Sequence, residues 1–388
     1  MRKEWLIGLF LFINKCIFFI FNMFPLKRKI VFLCDFGDNA RFVVNELTRR
    51  DFKDVVVLRT SKCKESFIRS NVDTVLSFKI RNLFDYVKGL YHLATAETVL
   101  VDNYFAILSV MNFRPNVECI QLWHAAGAVK KFGMQDPSVL FRSPRAIKRF
   151  KRVYSQMNKV VVGSDEMVPI FKAAFDMQDQ QILRTGIPRT DFFYDEDAVE
   201  AARREMLTKY PMLNGKKVIL YAPTFRDQQL DAQSIPLNFE DIIEQLGENY
   251  IMMIKLHPAV AHNLGNFSHP LIVSVENDVP INKLLCVTDY VISDYSSIPF
   301  EFSLLGKPQI FYPYDIEKYE MERGFWTDYS KLVPGPVVST DDELVFVLKK
   351  DEFDMEQVKT FADTWNMFSD GNASSKLVDY LLKDLRGE

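Results

Sequence analysis

The sequence is poor in cysteine and histidine, and this scarcity excludes several classes of site. Its cysteines lie far apart along the chain, so neither a disulfide framework nor a zinc knuckle is indicated, and a reducing compartment is expected. They are Cys16, Cys34, Cys63, Cys119 and Cys286. No HxH or HExxH sequence occurs, and no DxD follows a predicted strand in the first half, so we predict no metal site. The absence of GxSxG argues against a serine hydrolase.

A strong excess of charge and a glycine-rich phosphate loop are also missing. The net charge is −3, which argues against a chain that binds nucleic acid along its whole surface. The loop after the first predicted strand, residues 35–39, has Gly37 as its single glycine and lacks the GxGxxG pattern. We therefore predict neither an NAD-type cofactor nor a nucleic-acid partner.

What the sequence does contain is a regular alternation of apolar runs with amphipathic stretches of helical length. Continuous apolar runs separated by helices predict parallel β-sheets covered on both faces, and hence an α/β fold. The first series of predicted strands is Ile30–Cys34, Val55–Leu58, Thr74–Ser77, Thr98–Val101, Cys119–Leu122 and Val160–Val162. The second series is Val218–Tyr221, Tyr250–Lys255, Leu271–Val275, Tyr290–Ser293 and Gln309–Tyr312.

Two domains are expected, because 388 residues exceed the size of one ordinary core. We place a membrane-associating segment at 1–28, an N-terminal domain at 29–190, a linker with a charged helix at 191–215 and a C-terminal domain at 216–388. Two α/β domains joined in this way predict a cleft whose ligand is held by loops from both.

The N-terminal segment Trp5–Phe24 is nearly all apolar and is flanked by basic residues at both ends. Its length allows it to span a bilayer, to lie in the membrane interface or to pack inside the protein. We favour the interface, because the polar positions Glu4, Lys15 and Asn22 fall near one stripe of a helix. No small-residue cleavage site follows, so a secretory signal is not indicated.

The stretch Thr288–Asp315 carries the clearest sign of a ligand site. It predicts a strand, a polar loop, a helix starting near Pro299 and a second strand, with the loop at the carboxyl end of the first strand, where open α/β sheets bind ligands. Ser296 and Ser297 stand where unpaired N–H groups of a helix start can hold a phosphate. The alternative is that the two serines only cap the helix.

Two of the five histidines directly follow predicted strands. His124 comes two residues after Leu122, and His257 comes two residues after Lys255. A neutral imidazole at such a place can take a proton near neutral pH, and Lys255 adds positive charge. Each histidine taken alone can equally be a structural residue.

Basic side chains supply further candidates. Arg226 in YAPTFRD and Arg189 offer forked donors that suit phosphate, although Arg226 can equally pair with Asp227 at the surface. A predicted helix also carries six basic residues, which can attract anionic headgroups or a lipid diphosphate, or can simply be a solvated face. These residues are Arg142, Arg145, Lys148, Arg149, Lys151 and Arg152.

Taken together, five strings resemble the CDP-glycerol glycerophosphotransferase family of wall teichoic acid synthesis. They are LWHAAGAVKKFG, GIPRTDFF, YAPTFRD, KLHP and ISDYSSIPFEFSLLGKPQIFYPYD, and they match in order and spacing across Val31 to Arg323. The length of the chain and the strings VDNYF and SSIPFE look most like the glycerol-phosphate primases of this family.

The resemblance implies a GT-B-like fold of two Rossmann-type domains facing across a cleft, and a phosphotransfer without metal or other cofactor. The reaction it implies moves glycerol phosphate from CDP-glycerol to the N-acetylmannosamine of an undecaprenyl-diphosphate-linked disaccharide and releases CMP. It further implies a peripheral protein at the cytoplasmic face of the cell membrane, in the company of other teichoic acid enzymes.

The resemblance also assigns individual residues. It implies that His124 is the general base for the acceptor hydroxyl, and that His257 and Lys255 hold and neutralise the donor diphosphate. The other matched positions are assigned to donor binding: Trp123, Gly127, Arg189, Pro223, Thr224, Ser296, Ser297 and Glu301. The chain departs from the polymerases of the family twice, with HAAG in place of HGTP and with Glu301 in place of aspartate.

Three alternatives stay open at the level of sequence. The chain can be a glycerol-phosphate or ribitol-phosphate polymerase of the same family. It can be a GT-B glycosyltransferase that uses a nucleotide sugar. It can also be an inactive membrane scaffold that keeps the fold.

Overall fold

The computed structural model of the chain describes residues 2–386 except 71, 73, 225, 227–236, 257–266 and 268. Within these residues, the strands form one parallel sheet of seven and one of five. The strands are β1 Lys27–Cys34, β2 Val55–Arg59, β3 Thr74–Ser77, β4 Ala96–Val101, β5 Glu118–Gln121, β6 Lys159–Val161, β7 Ile182–Leu183, β8 Lys217–Tyr221, β9 Tyr250–Ile254, β10 Ile272–Ser274, β11 Tyr290–Ser293 and β12 Gln309–Phe311. The α/β class and every predicted strand are thereby confirmed.

The helices of the described residues lie mostly between the strands, as the alternating pattern predicts. They are α1 Arg2–Phe21, α2 Asp38–Arg49, α3 Leu83–Ala94, α4 Pro144–Tyr154, α5 Met167–Phe175, α6 Glu196–Lys209, α7 Phe239–Leu246, α8 Ile281–Val287, α9 Ile298–Phe302, α10 Ile316–Arg323, α11 Tyr329–Leu332, α12 Asp341–Lys350, α13 Met355–Trp365 and α14 Ala373–Arg386.

The two sheets share a strand order. The first sheet has the order β3-β2-β1-β4-β5-β6-β7 and the second has the order β10-β9-β8-β11-β12. In each sheet the order in which the chain adds strands therefore reverses beside the first strand, β1 or β8. In open parallel sheets the ligand binds outside the carboxyl ends of the strands at such a reversal. The loops that follow β1 and β4, and those that follow β8 and β11, are therefore the places to examine.

Each sheet is buried because its strands are continuous apolar runs. In β1, every residue from Ile30 to Cys34 is buried. In β8, Ile219 and Tyr221 pack into one core cluster, whereas Val218 and Leu220 pack into another. Successive residues of a strand point to opposite faces, so both faces of this sheet are covered by apolar side chains.

The chain divides into two compact units. The first unit comprises Met1–Ala125, Phe132–Asp191 and Met367–Glu388, and the second comprises Ala126–Lys131 and Phe192–Asn366. The division differs from the predicted domains, because the C-terminal segment groups with the first unit and α6 of the expected linker groups with the second.

Hydrogen bonds explain the place of the C-terminal helix. The carboxylate of Asp191 accepts the backbone N–H groups of Ala373 and Ser374, both at 2.8 Å, at the start of α14. Arg50, which follows α2, donates to the Ser375 hydroxyl at 2.7 Å. The partners are more than 180 residues apart in sequence, so the pattern of apolar runs gave no sign of this return.

Three polar residues in or directly after the N-terminal helix α1 bond to other parts of the first unit. Glu4 forms an ion pair of 3.3 Å with Arg149, and the Asn14 side chain accepts the hydroxyl proton of Tyr86 at 2.7 Å. The Asn22 amide donates to the Asn112 carbonyl at 3.1 Å. Of the predicted polar stripe, Glu4 and Asn22 are therefore bonded within the first unit, whereas Lys15 is exposed, and the association of this segment with a membrane stays a prediction.

Apart from Lys15, the outward face of α1 is apolar. Leu11 and Phe18 are buried against the first unit, and Phe18 meets Phe113 edge to face with ring centroids 5.7 Å apart. Seven large apolar side chains of the helix are exposed: Trp5, Leu6, Leu9, Phe12, Ile13, Phe19 and Ile20. By length and composition alone, Glu4–Phe21 is the one helix among those described that could cross a membrane, which is weak evidence for a span.

Candidate active site

In the first unit, a buried carboxylate organises the loop at the reversal of the sheet. Asp102 follows β4, is fully buried, and accepts the backbone N–H groups of Asp35 at 2.8 Å, Phe36 at 3.0 Å and Gly37 at 2.7 Å. Gly37 has φ +90°, a conformation that glycine adopts without steric cost, and α2 begins at the next residue. The loop after β1 is thus folded around the carboxyl group of Asp102.

Burial raises the pKa of Asp102 to about 7, even though its three backbone donors act in the opposite direction. The neighbouring Asp35 is held by side chains. It accepts the Thr60 hydroxyl at 2.6 Å and the Asn103 amide at 2.9 Å, and Lys62 lies 3.2 Å away. These bonds fix the loops after β1, β2 and β4 against one another at the carboxyl end of the sheet.

His124 lies directly above this carboxylate loop. Its Nδ1 is 3.2 Å from the backbone carbonyl oxygen of Asp102, and its ring stacks on Phe36 with centroids 4.5 Å apart. In the tautomer that donates from Nδ1 to the carbonyl, Nε2 carries the lone pair. That arrangement is the one a general base requires, because the ring is oriented and its acceptor nitrogen is defined.

Trp123 sets the backbone from which His124 projects. Its φ is +59°, which is uncommon for a residue with a side chain and is kept only where neighbours fix it. Its N–H donates to the Gln121 side chain at 2.9 Å, and its carbonyl accepts the Asn39 amide at 3.1 Å. Its ring packs against the phenylalanine rings of Phe132, Phe171 and Phe175, as well as against His124 itself.

Arg189 is joined to the same group through Asn39. The Arg189 N–H donates to the Asn39 side chain at 2.9 Å, and the guanidinium pairs with Asp38 at the start of α2. Burial by itself raises the pKa of Asp38, but the pair with Arg189 outweighs it and holds that pKa below its usual value. Trp123, His124 and Arg189 are thus brought together, with Asn39 as the bridge.

In the second unit, Asp294 has the role that Asp102 has in the first. It follows β11 at the reversal of the sheet and is buried. It accepts the N–H groups of Thr224 at 2.7 Å and Tyr295 at 2.6 Å, and an N–H of Arg226 at 2.7 Å. The loop after β8 is therefore fixed to the loop after β11.

Arg226 is part of this buried network. Its guanidinium makes two hydrogen bonds of 2.8 Å to Asp315 as well as the bond to Asp294. Burial alone lowers the pKa of Arg226, but the two carboxylates outweigh it and raise the pKa further above its ordinary value. Three tyrosine rings lie within 5.5 Å of the guanidinium carbon: Tyr295, Tyr314 and Tyr319.

The serine pair lies at the start of a short helix. The Ser296 hydroxyl accepts the N–H of Ile298 at 3.2 Å, whereas Ser297 occupies the cap position without a side-chain capping bond. The helix α9 has five residues and continues as one 3-10 turn to Gly306, whose φ is +60°. Both serines are half-buried, and the macrodipole at their side comes from little more than one turn.

A family comparison gives this geometry its context. The model of the family described as CDP-Glycerol:Poly(glycerophosphate) glycerophosphotransferase matches residues 16–383. The chain belongs to this family. The membership covers both units and both groups of residues described above.

Individual relatives agree with this membership. The chain is 35% identical to a teichoic acid glycerol-phosphate primase of Bacillus subtilis, with 98% of both chains covered. It is 32% identical to a teichoic acid poly(ribitol-phosphate) polymerase of Bacillus spizizenii, covering 94% of this chain and 58% of the polymerase. The wall teichoic acid polymerase TagF has the same fold, with a TM-score of 0.81 and 20% identity over 100% of this chain and 98% of that one.

The remaining predicted residues of this family member fall in the second unit. A Cβ on Gly127 would lie 2.2 Å from the Phe300 ring, so packing against that ring requires glycine there. The ammonium of Lys255 donates to the carbonyls of Glu276 at 2.5 Å and Val279 at 3.1 Å. These contacts hold both residues in place, and the assignment of Gly127 and Lys255 to donor binding stays a prediction.

Other predicted positions are less defined. Pro223 is half-buried, and Glu301 is buried within α9. The Thr224 hydroxyl is buried and has no hydrogen-bond partner among the residues that the structure describes. His257 lies outside the described residues, so its predicted role is untested.

In the described part of the chain, no group of three or more His, Cys, Asp and Glu side chains is close enough to hold a metal ion.

Three residues that fix the first group were missed from sequence: Asp102, Asn39 and Asp38. One signal could have identified Asp102, because it directly follows a predicted strand in the string VDNYF. Nothing local marks Asn39, since it lies in the first turn of α2 and its partner Trp123 is 84 residues away.

Proposed function

We propose that the chain is a teichoic acid glycerol-phosphate primase. It transfers one glycerol phosphate from CDP-glycerol to the N-acetylmannosamine of an undecaprenyl-diphosphate-linked disaccharide and releases CMP. The observation that carries the reaction is the position of His124, whose Nδ1 faces the Asp102 carbonyl at 3.2 Å. The primase is favoured over the polymerases because the similarity to a primase extends over the full length of both chains.

His124 acts on the acceptor in this proposal. Its Nε2 takes the proton of the acceptor hydroxyl while the hydroxyl oxygen attacks the phosphorus that bears glycerol. The new P–O bond forms as the bond from that phosphorus to the bridging oxygen of the diphosphate breaks, and the electron pair leaves with CMP. Such a transfer depends on positioning and charge stabilisation, and one positioned base contributes about 10²–10⁴ in rate.

The second unit supplies the donor site in this proposal. Lys255, His257 and the pair Ser296 and Ser297 stabilise the negative charge of the diphosphate, because cationic and hydroxyl groups bind phosphate oxygens. The Arg226 network stabilises the loop that carries Thr224 rather than binding the phosphate itself. No metal or other cofactor takes part in these steps, and a GT-B-like class is proposed for the fold.

An assay of product length tests the proposed reaction. Purified protein is incubated in EDTA with labelled CDP-glycerol and a lipid-linked disaccharide analogue, and the products are separated by mass. We expect one glycerol phosphate per acceptor and one CMP per transfer. Long products would show a polymerase, transfer from CDP-ribitol would change the donor, and competition by UDP-sugars would support a glycosyltransferase.

We also propose that the protein is peripheral at the cytoplasmic face of the membrane, held there by α1. The support is the orientation of this helix. Glu4 and Asn14 of the helix, and Asn22 directly after it, bond to other parts of the first unit, and the exposed side of the helix is apolar except for Lys15. A helix attached along its length by such bonds is suited to lie on a membrane with its apolar face in the acyl boundary.

Substitution of Trp5, Phe12 and Phe19 by serine is expected to weaken membrane binding while the fold is kept. The three side chains are 64%, 62% and 71% exposed, so the folded protein loses little by their removal. Each would contribute roughly 1.5–3 kcal/mol when buried in an apolar phase, so the bound fraction in vesicle sedimentation should fall at least about tenfold.

A matched control uses an exposed apolar residue of the second unit. Phe346→Ser removes a side chain that is 66% exposed on α12 and should leave sedimentation unchanged. Substitution is preferable to deletion of residues 1–26, because deletion would also remove the partners of Arg149 and Tyr86. Undiminished sedimentation of the triple variant would contradict the proposed anchor.

A further inference from the structure

A groove of about 740 Å³ lies in the first unit beside α4. Its floor is formed by the buried side chains of Tyr154, Phe175 and Met177. Its rim carries the exposed cationic residues Lys148, Lys151 and Arg152. The volume is within the range of small-molecule sites, and the apolar floor with a few polar groups at one side is typical of them.

The rim of this groove has an excess of positive charge. Lys148 and Lys151 are three residues apart on α4 and so share a face, and neither has an acidic partner among the described residues. Arg152 donates to the Asn112 side chain at 2.8 Å. Asp176 supplies the lining's one carboxylate. Three cations facing one anion, above an aromatic floor, complement an anionic group attached to an apolar chain.

A further basic residue of the same helix, Arg149, does not line the groove and has an acidic partner. Arg149 pairs with Glu4 of α1, so its charge is already balanced within the protein. Through this pair, α4 lies next to the helix whose outward face is apolar. A lipid whose chain remains beside α1 can therefore place its headgroup against α4.

The floor of the groove also adjoins Trp123, the residue directly before His124. The Phe175 ring lies 5.7 Å from the Trp123 ring, and the Trp123 ring lies 4.3 Å from the His124 ring. Phe132, which packs on Trp123 at 4.5 Å, is two residues from Met134 of the groove lining. The groove and the candidate base are thus separated by one aromatic layer.

We propose that this groove binds the diphosphate of the lipid-linked acceptor, which deepens the proposed function and rests on it. The ammonium groups of Lys148 and Lys151 bind the phosphate oxygens, and the aromatic floor receives the first part of the polyprenyl chain. A diphosphate carries more charge than the single phosphate of a phospholipid, and it matches a rim with three cations and one carboxylate.

Binding of farnesyl diphosphate to the full-length protein tests the groove directly. The titration is followed by calorimetry in the presence of excess CDP-glycerol, which occupies the donor site. The double variant Lys148→Gln with Lys151→Gln should bind farnesyl diphosphate at least about tenfold more weakly. The control, Lys79→Gln with Lys88→Gln, removes the same charge from exposed positions outside the groove and should bind within about twofold of the unaltered protein.

Two further probes define what the groove recognises. Farnesol lacks the diphosphate and should not bind measurably. Vesicles of phosphatidylglycerol should not displace farnesyl diphosphate, and displacement would show that the groove accepts any anionic headgroup, which would overturn the assignment to the acceptor. Equal binding of farnesyl diphosphate by the groove variant and the control variant would overturn the site itself.

Measurement of activity with two acceptors distinguishes a failure of the groove assignment from a failure of the proposed function. The ratio of kcat/KM for a lipid-diphosphate acceptor to kcat/KM for the same disaccharide on a simple alkyl group should fall in the groove variant and not in the control. An unchanged ratio with active enzyme would overturn the groove alone. Groove-dependent binding of farnesyl diphosphate without any glycerophosphate transfer would overturn the proposed function while the groove stands.

Discussion

Replacement of His124 by glutamine is expected to lower kcat by about 10²–10⁴-fold, the usual contribution of one positioned general base. Glutamine keeps a polar side chain of similar length, so the contact to the Asp102 carbonyl can be retained while the basic nitrogen is lost. The KM for CDP-glycerol should change little, because His124 is proposed to act on the acceptor hydroxyl. The measurement is steady-state release of CMP at saturating acceptor.

The control for this prediction is a histidine with a hydrogen bond but no proposed role. His269 accepts the N–H of Leu271 at its Nδ1, at 3.2 Å, and His269→Gln should retain activity. Circular dichroism of both variants checks that the fold is intact. Normal turnover by the His124 variant would contradict the proposed base and would favour the inactive scaffold with the same fold.

The strands and the α/β class could be predicted because the information is local. Each predicted strand is a short apolar run that is buried on both sides in a parallel sheet, and the structure places a strand at every one. The two-residue strand β7 was missed, since Ile182 and Leu183 alone make no recognisable run. The return of the C-terminal helix to the first unit was also missed, because it depends on partners such as Asp191.

The site could be predicted only where chemistry and position coincide. His124 was selected because it follows a predicted strand, and the structure places its Nδ1 3.2 Å from the Asp102 carbonyl oxygen, while its role as the base stays a prediction. Arg226 illustrates the opposite case. From sequence, its guanidinium was expected either to bind phosphate or to pair with the neighbouring Asp227. In the structure it bonds to Asp294 and Asp315, which are 68 and 89 residues away. A sequence pattern shows which side chains can bind an anion, but it does not show which of them already form ion pairs with carboxylates of the same chain.

The helix α1 shows a similar limit. The sequence shows that Glu4, Lys15 and Asn22 fall near one stripe of the helix, but it does not show what that stripe faces. In the structure, Glu4, Asn14 and Asn22 have partners in the first unit, whereas Lys15 is exposed. Amphipathic spacing identifies two faces of a helix, but the partners decide which one is turned outward.

The largest loss of stability is expected from Arg226→Ala. The guanidinium side chain is 10% exposed and bridges Asp294 and Asp315, whose side chains are 2% and 15% exposed. Removal of one partner of a buried ion pair leaves uncompensated charge and typically costs about 3–5 kcal/mol of unfolding free energy. The measurement is urea denaturation followed by tyrosine and tryptophan fluorescence.

Acid should distinguish this variant from the unaltered protein. Burial alone raises the pKa of Asp315, but the bonds to Arg226 outweigh it and hold that pKa below its usual value. A depressed pKa stabilises the fold at neutral pH, and this contribution is lost as the pH falls through the folded-state pKa. Without Arg226, burial is left to raise the pKa of Asp315, so mild acidification from neutral pH should recover part of the lost stability.

An exposed arginine provides the comparison that isolates burial. Arg184 pairs with Asp165 and Asp179, and all three side chains are at least 35% exposed, so Arg184→Ala should cost no more than about 1 kcal/mol. Arg226→Lys keeps the charge but cannot make the two parallel bonds to Asp315, and it should fall between the two alanine variants. Equal stability of Arg226→Ala and Arg184→Ala would contradict a structural role for Arg226 and would restore the view that its guanidinium is available to the donor phosphate.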